Sequence, residues 1–279
     1  MRLAVSNLAW PVTADGEVAA LLVAEGVRGV ELAPNKVWPT APHVPPSDAE
    51  SYAAWWADRG LEVVAFQAIL FGHAEMSIFG EGPSLVATQS HLIAMGNLAR
   101  RCGARVLVLG APGNRRRGDR SMPAAITAAA NALRPVAAAL EASGVSLCIE
   151  PNPPRYQCDF VHTAAEAATL AEAVGHPNFG VHLDAAALAL SGEITERALA
   201  PVMPFVRHFH VSEIDLAPVG EPDTVPHERL GDALRGLGYS GWISVEMRGD
   251  DAVSWRAAIP RATALVRRCY GGTGIGTRL

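Results

Sequence analysis

Lysine, cysteine and aromatic side chains are scarce in this sequence, and long apolar runs are missing. Lys36 is the only lysine in 279 residues, so Schiff-base chemistry, including anchoring of pyridoxal phosphate, would have a single residue to use. The four cysteines, Cys102, Cys148, Cys158 and Cys269, stand far apart with no C-x-x-C pair. That excludes a disulfide framework, a zinc ribbon and dithiol redox chemistry, and leaves four free thiols. Aromatic residues make up 6% of the chain, and 28 acidic against 23 basic side chains give a net charge of −5. Without a basic stripe or stacking platforms, nucleic acid is not an expected partner. No stretch approaches the roughly 18 apolar residues of a membrane span, and the start MRLAVSNLAWP has no apolar h-region. A protein that neither enters the membrane nor is exported, and so is cytoplasmic, is the expectation. Neither G-x-G-x-x-G nor G-x-x-x-x-G-K-[ST] occurs, so a dinucleotide or P-loop site has no support.

What the sequence does contain is a repeated unit: a short apolar run, a turn, then an Ala/Leu/Glu-rich segment of helical period. Eight such runs begin near Arg2, Gly29, Glu62, Arg105, Val145, Gly180, Arg207 and Trp242. Their spacing is that of βα units, and endings such as RGLEVV, CGARVL and SGVSLC are αβ-loop chemistry. In SDAESYAAWWADRG, Ser47 is the expected cap and Gly60 the stop. The fold class expected is α/β, a single (β/α)8 barrel with a parallel eight-stranded core, over residues 1–268. Residues 269–279, ending GGTGIGTRL, read as a flexible tail.

In such a barrel the C-terminal strand ends carry the chemistry, and here those ends are polar. Glu31, Gln67 with His73, Glu150 with Asn152, His182 with Asp184, His208 with His210, Ser212 and Glu213, and Glu246 all fall there. Glu150, Asp184, His210 and Glu246 come from successive strands. Three carboxylates and an imidazole gathered in a low-dielectric site need a counter-charge, and a divalent cation is the simplest one. Oxygen-rich ligation with one nitrogen suits Mn2+ first, with Co2+, Mg2+, Zn2+ or Fe2+ compatible. His182 and His208 lie deeper, as neighbours of the cluster and not as ligands.

The motifs IEPNPP (149–154), HLDAA (182–186), HFHVSE (208–213) and GYSGWISVEM (238–247) resemble the sugar phosphate isomerase/epimerase group of the xylose-isomerase-like barrels. SNLAW, GVELAPNKVW and FQAILFG extend the likeness, which spans about residues 1–265. It implies that Glu150, Asp184, His210 and Glu246 hold a divalent metal. It also implies that Glu150 and Glu246 exchange protons with opposite faces of a sugar, through an enediolate. The chain departs from the epimerase pattern at three substrate-handling positions: Ala187 for a histidine, Ile214 to Leu216 for a loop arginine, and Gln157 for a glutamate.

Further expected substrate contacts are Asn152, Tyr156, Glu213 and His227, with Glu31, Lys36, Gln67, His73 and His182 around the mouth. Trp10 is expected as an apolar wall, and Asn114 with Arg115, from NRRRGDR, as a phosphate clamp. The leading expectation is a metal-dependent isomerase or epimerase of a small sugar, sugar phosphate or keto-polyol. The alternatives are a metal-dependent dehydratase or lyase on a sugar or cyclitol derivative, and a non-catalytic sugar-binding barrel. Dimers and tetramers are common among the proteins it resembles, so a homo-oligomer is compatible with the sequence.

Overall fold

A computed structural model describes residues 1–249 and 254–271. Eight strands, β1 (Arg2–Ser6), β2 (Gly29–Leu32), β3 (Glu62–Phe66), β4 (Val106–Leu109), β5 (Ser146–Ile149), β6 (Phe179–Asp184), β7 (Val206–Ser212) and β8 (Trp242–Glu246), form a closed barrel in sequence order. Every pairing is parallel, and β1 closes on β8 with Arg2 opposite Trp242 and Val5 opposite Val245. The (β/α)8 expectation from the eight spaced runs is correct. Among the described residues no helix is long and apolar enough to cross a membrane.

Among the described residues ten α-helices connect or extend the strands: α1 (Asp15–Ala24), α2 (Pro34–Val37), α3 (Pro46–Ala57), α4 (Pro83–Arg101), α5 (Met122–Leu140), α6 (Ala164–Val174), α7 (Ala185–Ser191), α8 (Glu196–Leu199), α9 (His227–Gly236) and α10 (Trp255–Tyr270). Helix α6 shows why the sequence folds this way. Thr163 accepts from the Glu166 amide, Glu166 in turn accepts from the His162 amide, and Gly175 ends the helix in the left-handed region. Helix α3 starts on Pro46 and not after Ser47, because proline is pre-organised for the first helical turn. Helix α10 continues through Cys269 to Tyr270, both buried, so the expected tail boundary at 269 falls inside the barrel's last helix. Residues 272–279 of that expected tail lie outside the described residues.

Strand alternation divides the barrel interior into two unlike halves. From β3, β4 and β5 come Val64, Val106, Val108 and Cys148, in a small apolar cluster with Ala4. On β6 to β8 the inward residues are His182, Asp184, His208, His210, Ser212 and Ser244, all buried. At the N-terminal end, a Cβ on Gly29 would sit 2.8 Å from the Trp242 ring, so glycine is needed there for the indole to plug the barrel. The main apolar layer lies outside the strands, under the helices, and packs Leu92, Leu133, Leu170, Leu230 and Ile259.

Candidate metal centre at the barrel mouth

Four side chains meet at the C-terminal end of β5 to β8. Ligand atoms of Glu150, Asp184 and His210 all lie within 4.8 Å of one another, and Glu246 Oε2 is 3.3 Å from His210 Nδ1. Each is fixed by its own scaffold. Asp184 caps α7, accepting from the Ala187 amide at 2.8 Å, and also accepts from the Ser212 hydroxyl. Gln67 Nε2 donates to Glu246 Oε1 at 2.8 Å. Glu150 follows Gly110 across the barrel wall, where a Cβ would lie 1.9 Å from Glu150 Oε2, so only glycine leaves room for this carboxylate.

Glu31 sits below the cluster, wholly buried. It accepts from His210 Nε2 at 2.9 Å and from His208 Nε2 at 3.1 Å. With its hydrogen on Nε2, a neutral His210 would aim the Nδ1 lone pair at the carboxylates, the arrangement that orients a metal-binding histidine. His210 Nδ1 is buried and, among the described residues, faces the Glu246 carboxylate at 3.3 Å without a well-aligned hydrogen bond.

The electrostatics agree with the geometry. Burial, then Asp184, then Glu246 push the Glu150 carboxyl up to about 8. Burial and Glu246 raise Asp184 as well. Burial works against the charged forms of both Glu31 and His210 and is overcome: His210 and His208 hold Glu31 well below the usual carboxylate range, and Glu31 and Glu246 hold His210 well above the usual imidazole range. Crowded carboxylates that resist ionisation, beside a buried imidazole nitrogen that faces them, are the donor set a divalent cation satisfies. The residues present fit such an ion.

A cavity of about 420 Å³ opens above the cluster, bordered by Glu150, Asp184 and Glu246 together with Asn152, Tyr156, Ala187, Glu213, Leu216 and Arg248. Asn152 and Tyr156 therefore border this cavity, as do two of the departures, Ala187 and Leu216, while Gln67 borders an adjoining lobe. His73 and Asn114 border that lobe as well. Asn114 does so as a brace, its amide donating to the carbonyls of His73 and Met76.

Several expected contacts are not brought to the mouth. Trp10 is 1% exposed, its indole donating to Asp15 at 2.7 Å and packing edge-on against Trp56, so it is core and not a sugar wall. Lys36 is spent on the carbonyls of Asn7 and Trp10. Arg115 is fully buried and donates to the carbonyls of Glu150 and Phe160 and to Asn152 Oδ1, which makes it an internal tie and not a phosphate clamp. His227 pairs with Tyr270 and Glu213 behind β7. Glu213 borders the cavity, but its carboxylate is engaged by His227 and by the amide and hydroxyl of Thr224. Glu31 and His182 lie beneath the cluster, with His182 Nε2 3.7 Å from Glu150. Burial and the neighbouring His210 keep His182 neutral, its pKa far below normal.

Sequence reasoning missed Gly110, Arg116 and Arg248. Arg248 borders both parts of the cavity and Arg116 the adjoining lobe. The position of Arg248, two residues beyond Glu246 at the C-terminal end of β8, was the available signal.

Comparison with known proteins places this geometry. The family described as xylose isomerase-like TIM barrel matches residues 19–269. No curated protein matches the sequence significantly. Among solved structures, D-psicose 3-epimerase from Clostridium cellulolyticum H10, crystallised with D-tagatose, superposes with a TM-score of 0.80 at 16% identity, covering 98% of this chain and 100% of that one. The apo 3-keto-D-glucoside 4-epimerase YcjR from E. coli gives 0.77 at 18% identity, over 96% and 100%. The IOLI protein with a bound zinc atom gives 0.77 at 16%, over 97% and 98%. At these identities the likeness is one of fold.

Proposed function

The chain belongs to the xylose isomerase-like TIM barrel family, and on that premise we propose that it is a divalent-metal-dependent isomerase or epimerase acting on a small sugar, sugar phosphate or keto-polyol. The observation that carries this reading is the cluster itself: Glu150, Asp184 and His210 offer ligand atoms within 4.8 Å of one another, and Glu246 Oε2 lies 3.3 Å from the buried His210 Nδ1. Those four residues would hold the ion, with Mn2+ the first choice for three carboxylates and one imidazole. When bound, it supplies positive charge that polarises a carbonyl and its neighbouring hydroxyl and acidifies the adjacent C–H.

The proton work falls to Glu150 and Glu246, which rise from β5 and β8 and both border the cavity. Each can take a proton from a sugar held in that cavity and return it, as a reversible acid/base must. Gln67 orients Glu246 by binding one of its oxygens. Arg115 anchors Glu150 through the Glu150 carbonyl. Taking a proton from one face of a carbon and returning one to the other face is epimerisation. Returning it to the neighbouring carbon is isomerisation, and both pass through an enediolate. The sugar-epimerase names of the structural neighbours support a carbohydrate substrate.

Solvent deuterium exchange tests the assignment. Mn2+-loaded wild type should wash deuterium into a keto-sugar substrate, and Glu150→Gln or Glu246→Gln should lose that exchange by about 10³-fold or more with metal content checked in parallel. Undiminished exchange in either metal-loaded variant would remove its catalytic role.

A further inference from the structure

Beside the 420 Å³ cavity lies a second lobe of about 780 Å³, and the two share Glu150, Glu246, Leu216 and Arg248 as a common border. The first volume already falls in the range of a small-ligand pocket, so the second is room beyond a monosaccharide's need. Its walls are of a different kind. Leu8, Ala68, Leu70, Val108 and Ala111, at and beyond the ends of β1, β3 and β4, give it an apolar side, which Gln67, His73, Asn114 and Arg116 complete with polar groups.

The loop after β3 is built to keep this lobe open. Ala68 sits at φ 53, a left-handed conformation costly for a residue with a Cβ, and the Phe71 amide donates to its carbonyl. Asn35 donates to the Phe71 carbonyl at 2.7 Å, and Asn114 holds the loop farther on. Fixed through its backbone at both ends, the loop leaves the Phe71 ring 72% exposed on the lobe's border. A large apolar ring presented at the edge of an apolar cavity is a contact awaiting a ligand surface. Gly110 adds no side chain to the floor between the two parts.

We propose that this lobe is a subsite for an apolar, ring-sized group carried by the substrate, so that the enzyme acts on a sugar conjugate that keeps a ring ketone for the enediolate chemistry, such as an aryl keto-glycoside, and not on the free sugar. The inference rests on the sugar-directed reading of the metal centre and narrows it. The sugar occupies the polar end, its reacting carbons between Glu150 and Glu246. The appended group lies over Leu70, Val108 and Ala111, under Phe71.

Calorimetry on the Mn2+-loaded full chain tests it, with matched methyl and phenyl β-glucosides and β-galactosides as probes. The phenyl member of at least one pair should bind about tenfold more tightly, the return for burying one ring after ordering costs. Ala111→Trp, which fills the lobe, should erase that preference, and Phe71→Ala should reduce it about threefold, with Mn2+ affinity unchanged in both. Phenyl and methyl glycosides bound alike by wild type, including failure to bind either, or a preference that survives in both variants, would overturn the subsite. A phenyl preference without deuterium exchange into any sugar would retain the subsite and discard the isomerase reading, so the two failures are separable.

Discussion

Substituting Gly110 by alanine is the sharpest probe of the centre, because it displaces Glu150 without replacing any proposed ligand. The added Cβ would lie 1.9 Å from Glu150 Oε2 and 3.2 Å from its Cδ, so the carboxylate must retreat by about 1.5 Å to reach ordinary contact. The backbone itself tolerates the change, since Gly110 is not among the residues at positive φ. Misplacement on the ångström scale is enough to cost about 100-fold at a reacting centre, and loss of ligand positioning costs about 10 to 100-fold in metal affinity. Gly110→Ala should therefore bind Mn2+ about 10 to 100-fold more weakly by calorimetry, or about 1.4 to 2.7 kcal/mol. Deuterium exchange should fall by at least as much, while thermal unfolding of the metal-free protein stays within a few degrees of wild type. Wild-type metal affinity together with wild-type exchange would refute the placement of Glu150 in the centre.

Two other outcomes follow from the same geometry. Glu150 titrates at about 8 in the folded metal-free protein against 4.5 ordinarily, so the native state binds the extra proton between those values. Stability is then fullest below about pH 4.5 as far as this group is concerned and is lost as pH rises through 8, by a few kcal/mol at most; Mn2+ binding should strengthen across the same window and release protons. Melting curves at pH 5.5 and 8.5, with and without Mn2+, check both signs, and a metal-free protein more stable at the higher pH would contradict the assignment. Arg115→Met should cost about 3 kcal/mol in urea unfolding, because it strands the Glu150 and Phe160 carbonyls in the interior. A loss below about 1 kcal/mol would show that these bonds contribute little.

The fold was legible because its signals are local. Each strand run is short, apolar and followed by a turn and a helical stretch, and a unit repeated eight times has few architectures open to it. The candidate ligands were legible for the same reason, since strand alternation alone puts Glu150, Asp184, His210 and Glu246 at the mouth. Periodicity does not report who occupies whom. Lys36, Trp10, Arg115 and His227 have the right chemistry for a sugar site and fall near strand ends, but each had to satisfy a buried partner first. Asp15, the carbonyls of Asn7 and Glu150, and the phenol of Tyr270 are those partners, and their positions depend on packing between distant segments. The orientation of His210 was equally beyond the sequence, since Glu31 reaches it across the barrel from a strand 179 residues away. The apolar lobe over β3 and β4 belongs to the same class. Its walls come from three separate loops, and only closure of the barrel brings them to face one another. From the sequence alone came a parallel eight-fold barrel and an acidic mouth, because those need only neighbouring residues; the shape of the cavity and the division of labour among its polar side chains came from tertiary structure, because they need all eight strands at once.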